Sequence, residues 1–193
     1  MEATIRALWD AGNLPAAATE AIETYGPEVL GWLTTSTGDA SEADEAFGTA
    51  CEDLWRGLAQ FRWECSVRAW LYTLARHALI RGRKRAAERP ARRQPLESVD
   101  VADRARSRTA PWLRTEVKDV FARLREELSE EERELLVLRV DRNLAWDEIA
   151  IILGGGGETS AAAMSARLRK RFQSIKGKLR ERARDEGILG EDS

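Results

Sequence analysis

Hydrophobic residues recur every three or four positions along most of this chain, the spacing that lays an apolar stripe along one face of an α-helix. Ala43, Phe47, Ala50, Leu54 and Leu58 make one such stripe, and Asp39 and Ser41 stand where N-caps belong for a helix running through Leu58. Residues 2–10 and 14–36 predict two earlier helices, with Pro15 and Pro27 as points where the chain bends or restarts. Ser66 caps the next predicted helix. It turns Trp70, Leu71, Leu74, Ala75, Ala78 and Leu79 inward and leaves Arg68, Arg76, Arg83 and Lys84 for solvent or phosphate. Further on, Ser129 followed by Glu132 is a capping box, opening a helix that carries Leu135, Leu136, Leu138 and Val140. A short helix from Trp146 or Asp147 to Leu153, a glycine-rich break and a long basic helix from about Ser160 complete the pattern. No segment shows the period-two alternation with β-branched clusters that a strand requires. The expected fold class is therefore all-α, as two small helical domains joined by a flexible linker: a helix bundle, then a helix-turn-helix.

The length of 193 residues suits that division. The boundary follows from residues 88–111, ERPARRQPLESVDVADRARSRTAP, rich in proline and charge and poor in large apolar side chains. Residues 89–111 read as the linker between domains at 1–88 and 112–186, with 187–193 as a tail; an ordered irregular connection packed on one domain is the alternative. Hydrophobic residues at 43% provide for a core, while no apolar run approaches the roughly 20 residues of a membrane span, so no membrane insertion is expected. Glu2 and Asp10 fall where a secretory leader would be basic, and the expected location is the cytoplasm.

The formal net charge of −2 conceals a segregation that bears on partners. Residues 20–53 carry nine acidic side chains, among them Glu28, Glu42, Asp44, Glu45, Glu52 and Asp53, and neither Lys nor Arg. Arg62, Arg68, Arg76, Arg81, Arg83, Lys84 and Arg85 follow, offset by Glu64 and Glu88. The second half repeats the order, acidic from Glu126 to Glu134 and basic from Arg167 to Arg184.

Chemistry beyond binding finds little support. Cys51 and Cys65 with the single His77 supply no metal-ligand spacing, so no metal site is expected, and the cysteines read as reduced structural residues, a disulfide being the other possibility. His77 lacks an evident nucleophile partner, and no glycine-rich phosphate loop follows a strand, so neither catalysis nor a cofactor is expected. In a helix-turn-helix the second helix places its N-terminal residues at base edges in the major groove. Ser160, Ser165, Arg167, Arg169 and Lys170 fit that requirement; a solvated basic helix on a bundle is the plainer alternative.

Two groups of residues now resemble a known family. Trp55 ends the acidic helix, followed by Phe61, Arg62, Glu64, Ser66, Arg68, Trp70, Leu71, Tyr72, Ala75 and Arg76, then Arg81, Arg83, Lys84 and Arg85. Leu128, Ser129, Glu132, Arg133, Leu138, Arg139, Glu148, Ile149, Ala150, Leu153, Gly154, Ser165, Arg167 and Leu168 form the second group. Together and in this order they resemble the extracytoplasmic-function sigma factors, minimal RNA polymerase sigma factors built from region 2, a linker and region 4. The resemblance implies a non-enzymatic protein that directs core RNA polymerase to specific promoters. It also implies partners: the polymerase β′ coiled coil and β flap, promoter DNA, and in some members an anti-sigma factor.

By the same resemblance Glu42, Asp44 and Glu45 belong to a polymerase-docking motif, although on charge alone they read as a solvated acidic face. The turn from Arg62 to Ser66 would read a flipped base of the −10 element, with Arg62, Trp63 and Glu64 in it and Arg76, His77, Arg83, Lys84 and Arg85 beyond it. Trp63 either stacks on that base or packs on the helix end. Ser160, Ser165, Arg167, Arg169, Lys170 and Arg171 would meet the −35 element. Where relatives carry Gln-Glu, this chain has Gly48 and Thr49. A phosphate on Thr49, placed by a Ser/Thr kinase, would restore the missing negative charge; drift is the alternative. The GGGGETSAAA turn is about four residues longer than its counterparts by that resemblance. Two other functions fit the same residues: a helix-turn-helix regulator acting on duplex DNA without polymerase, and a sigma-like interaction protein.

Overall fold

The computed structural model of the protein describes residues 1–88, 128–154 and 160–185. Every element found among them is helical. α1 spans Glu2–Asp10, α2 Leu14–Thr37, α3 Ala40–Gly57 and α4 Val67–Glu88; then come α5 (Glu130–Leu136), α6 (Trp146–Gly154) and α7 (Ala161–Asp185). α1–α4 belong to one compact unit, and α5, the start of α6 and α7 to another. The expected linker at 89–111, residues 112–127 and the tail at 187–193 lie outside the described residues. No helix among those described is long and apolar enough to cross a membrane.

Local chemistry sets the boundaries of the first unit. The Asn13 side chain accepts from the Ala16 N–H at 3.3 Å to start α2, and Gly38 ends it at a φ of 68°, where an L side chain would be strained. Asp39 caps α3 by accepting from the Ser41 and Glu42 N–H groups at 2.8 and 3.2 Å. Ser66 caps α4 by accepting from the Ala69 N–H at 3.0 Å. The expected bend at Pro27 is not a boundary. α2 runs through it, because the single hydrogen bond a proline removes is outweighed by the burial of Tyr25, Val29, Trp32 and Leu33 around it.

The core of this unit is aromatic and aliphatic, with Trp32 edge-on to Tyr72 at 5.3 Å and Leu33, Leu54, Leu58 and Leu71 fully buried around them. The stripe expected on α3 faces inward, with Phe47 only half-buried. On α4, Leu71, Ala75, Ala78 and Leu79 are buried as expected, but Trp70 and Leu74 are half-buried, and Tyr72 is enclosed.

In the second unit the capping box is complete: the Glu132 N–H donates to Ser129 Oγ at 3.2 Å, and the Ser129 N–H donates to Glu132 Oε2 at 3.2 Å. α5 then gives way to a π-helical turn over Val137–Asp141. The wider turn rotates the face, so Val137 and Leu138 are buried while Val140 is 54% exposed. α5 packs on α7, and Trp146 meets Phe172 edge-on at 5.4 Å. Ser160 caps α7 by accepting from the Ala163 N–H at 3.3 Å. Gly154 ends α6; the glycines after it lie outside the described residues.

Candidate nucleic-acid interface

The first unit places its acidic and basic helices side by side, and the two charge blocks are partly bonded to one another. Arg83 Nε donates to Glu42 Oε1 at 2.9 Å, and Arg81 pairs with Asp53. Arg68 forms a bidentate pair with Glu28 at 2.6 and 2.9 Å, both side chains about a quarter exposed. These contacts add intramolecular partners at three positions. Arg68 and Arg83, expected to face solvent or phosphate, and Glu42, expected to meet a protein partner, each join two helices in the free protein. Asp44 and Glu45 are exposed on α3, and Thr49, half-buried, donates its hydroxyl to the Glu45 carbonyl at 2.9 Å.

On α4, Lys84 and Arg85 are exposed and Arg76 and His77 half-buried. Arg76, Ile80 and Arg83 fall three or four residues apart and share a helix face, on which Ile80 is 48% exposed. His77 is held below its ordinary pKa of 6.5, first by burial and then by Arg76 and Arg81. Burial and the two neighbouring guanidinium groups thus disfavour its charged form in the free protein.

Ahead of α4 lies the turn from Phe61 to Ser66. Arg62 and Glu64 are exposed in it, while Trp63 is turned inward. The Trp63 ring lies 5.1 Å from Phe61 and 5.8 Å from Trp9, with the Arg6 guanidinium 4.4 Å from its centroid. Its backbone φ is 58°, a conformation rare for a bulky residue. Phe61 stacks on Trp70 at 4.6 Å, which is possible because residue 57 is glycine: a Cβ there would stand 3.0 Å from the Trp70 ring.

Sequence reasoning assigned no role to α1, which lies against the turn. The Glu2 carboxylate accepts from the Val67 N–H at 2.6 Å and from the Tyr25 hydroxyl at 2.7 Å. Burial, and after it Glu2, keeps the Tyr25 hydroxyl protonated well above the usual phenol range. Trp9 Nε1–H donates to the Leu58 carbonyl at 2.8 Å. Such contacts join residues far apart in the chain and leave no periodic trace in it.

In the second unit Arg167, Arg169 and Lys170 are exposed on the first turns of α7. Arg171 is also exposed but pairs with Glu131 at 2.7 Å. Ser165 departs from expectation: it is buried and donates to the Trp146 carbonyl at 3.0 Å, fastening α7 to the start of α6. The hydroxyl of Ser160 is taken up by its cap. Arg139 lies over the Trp146 ring and donates to the Leu144 carbonyl at 2.7 Å, so this arginine is also structural.

The sigma-70 region 2 family model matches residues 21–89, which include α3, the turn and α4. The RNA polymerase sigma factor YlaC of Bacillus subtilis is 27% identical over 82% of this chain and 92% of its own length. The RNA polymerase sigma-H factor of Pseudomonas aeruginosa is 26% identical over 67% of this chain and 70% of its own. Among solved structures, the sigma factor RpoE of Bartonella quintana, crystallised with the anti-sigma factor NepR, matches with a TM-score of 0.61 at 17% identity. The match covers 86% of this chain and 96% of that one, a likeness of fold.

Proposed function

We propose, from the premise that this chain belongs to the sigma-70 family of RNA polymerase sigma factors, that its two units divide promoter recognition between them. The protein is an alternative sigma factor: it binds core RNA polymerase, brings it to specific promoters and initiates transcription. The observation that carries the reading is the placement, within the matched segment, of an acidic helix α3 beside a basic helix α4, with an exposed turn between them.

In this reading Asp44 and Glu45 meet the polymerase β′ coiled coil, since Glu42 is held by Arg83. Arg62 and Glu64 in the turn meet the unpaired −10 strand, Trp63 supports them, and Arg76, Lys84 and Arg85 follow the phosphates. A groove tracking the backbone beside bases held by stacking and pocket contacts is how single strands are bound, each stacked base being worth about 1–3 kcal/mol. Arg167, Arg169 and Lys170, with Ser160 and Arg171 beside them, meet the −35 duplex as a region 4 helix-turn-helix, near the β flap. Catalysis belongs to the polymerase, and the protein acts in the cytoplasm, where the polymerase is. An anti-sigma factor is a further partner, as for the RpoE structure, and it would compete for these surfaces.

Gly48 and Thr49 favour a regulated docking step. A phosphate on Thr49 would add about −1.5 to −2 charges one helical turn from Glu45. Co-purification with core polymerase at physiological salt, followed by run-off transcription on fragmented genomic DNA, tests the whole reading. Stable binding with discrete transcripts is the expected outcome. Binding without transcripts would make the protein a sigma-like interaction protein. No binding by the wild type and recovery with Thr49→Glu but not Thr49→Ala would establish the phosphorylation gate; no binding by any of the three would overturn the sigma reading in favour of a duplex-only regulator.

A further inference from the structure

We infer that α1 is a positioning element of the turn that meets the unpaired strand, with Glu2, Arg6 and Trp9 as its positioning residues; this rests on the reading of Arg62–Ser66 as that turn. Three attachments from one nine-residue helix reach the start, middle and end of a single irregular segment. Trp9 holds the Leu58 carbonyl ahead of it at 2.8 Å. Arg6 lies 4.4 Å from the Trp63 ring centroid, with the Trp9 ring edge-on to the same ring. Glu2 takes the Val67 N–H behind the turn at 2.6 Å, supplying a carboxylate where the N-terminal end of α4 favours negative charge.

Trp63 is where these attachments matter. At a φ of 58° its backbone is strained for a bulky residue, and its indole N–H has no acceptor among the described residues. Neither local backbone preference nor hydrogen bonding keeps the side chain where it is. Contact with Arg6, Trp9 and Phe61 does. Arg62 and Glu64 flank it in sequence, so a change in the Trp63 backbone would redirect both exposed side chains. α1 thus sets where the reading groups point. A helix whose task was only to complete the bundle would need no more than its buried Ile5 and neighbouring apolar contacts. α1 also lies before residues 21–89, the segment that the family model matches.

The test uses holoenzyme assembled from core polymerase and the full chain, offered a forked promoter from the run-off experiment whose unpaired −10 strand is randomised. Bound strands are sequenced, and amide hydrogen exchange on the same samples reports whether the first unit is folded. Wild type is expected to select a base at one or more unpaired positions. Arg6→Gln and Glu2→Ala are expected to weaken that selection about fivefold or more, with polymerase co-purification and selection in the −35 duplex unchanged. Glu2→Gln should restore it, because an amide oxygen still accepts from the Val67 N–H. Trp63→Gly keeps the positive φ without strain and so retains the fold, yet should lose the selection. If Arg62→Ala abolishes selection while all the α1 variants and Trp63→Gly retain it, α1 is only a bundle helix and the inference falls. If neither wild type nor any variant selects a base, the turn does not read the strand, and the reading beneath the inference falls with it.

Discussion

Glu132 shows how one side chain can serve two scales of structure. Its carboxylate closes the capping box with Ser129 and also accepts from Lys178 Nζ at 2.6 Å, joining α5 to α7. The Lys178 hydrogen bond is the largest cause holding its pKa below the ordinary 4.5, with the Ser129 backbone bond adding to it against some burial. A depressed carboxylate contributes stability above its unfolded pKa, and that contribution is lost as pH falls through the folded value. The second unit should therefore lose protection on acidification below about pH 4.5, and Lys178→Gln should flatten that loss, as read by amide exchange of α5 and α7 peptides. Ser129→Ala should destabilise the same unit by about 1 kcal/mol by the same readout. The cap was legible from the Ser-x-x-Glu spacing, but Lys178 was not, lying 46 residues from its partner. Glu28 and Arg68 repeat the lesson in the first unit. Two charges in oppositely signed blocks find each other across the fold, and Glu28→Ala should cost about 2 kcal/mol because a part-buried, bidentate charged bond is removed. Urea titration of the first unit's amide exchange would measure it.

At the scale of the helix, α3 carries a correctable defect. Gly48 is exposed and helical, and a Cβ added there would meet nothing within 4 Å. Gly48→Ala should stabilise α3 by about 1 kcal/mol through helix propensity and lost unfolded-state freedom, without disturbing its packing. Amide exchange of the Ala40–Gly57 peptides would record the gain. α4 was legible in its cap and its inward Leu71, Ala75, Ala78 and Leu79, since period and capping are local properties. Two things about it were not. The half-exposure of Trp70 depends on Phe61 stacking on it and on the space left by Gly57, and the half-burial of His77 depends on what lies across from it. The π turn after α5 likewise departs from a fixed 3.6-residue period and leaves Val140 exposed.

Across the whole molecule, the expected action is electrostatic in strength and local in specificity. Promoter binding by the holoenzyme should weaken steeply with salt, and neutralising Arg167 or Arg169 should each reduce the slope of log K against log salt by about one where it meets a phosphate. Filter binding across a salt series would measure it; Arg139→Gln, which removes a structural contact to the Leu144 carbonyl, should disturb stability instead. The sequence by itself determined the all-helical class, the caps, the basic and acidic blocks and the resemblance to sigma factors, because periodicity, capping and motif spacing are written in neighbouring residues. Only the tertiary structure decided which charges reach solvent. Arg83, Arg68 and Glu42 are bound to partners about 40 residues away, and Ser165 is enclosed against Trp146. It also brought α1 onto the Phe61–Ser66 turn, a contact spanning 65 residues between Glu2 and Val67. Such choices depend on which helices pack together and which side chains meet across the contact, and no local pattern records that.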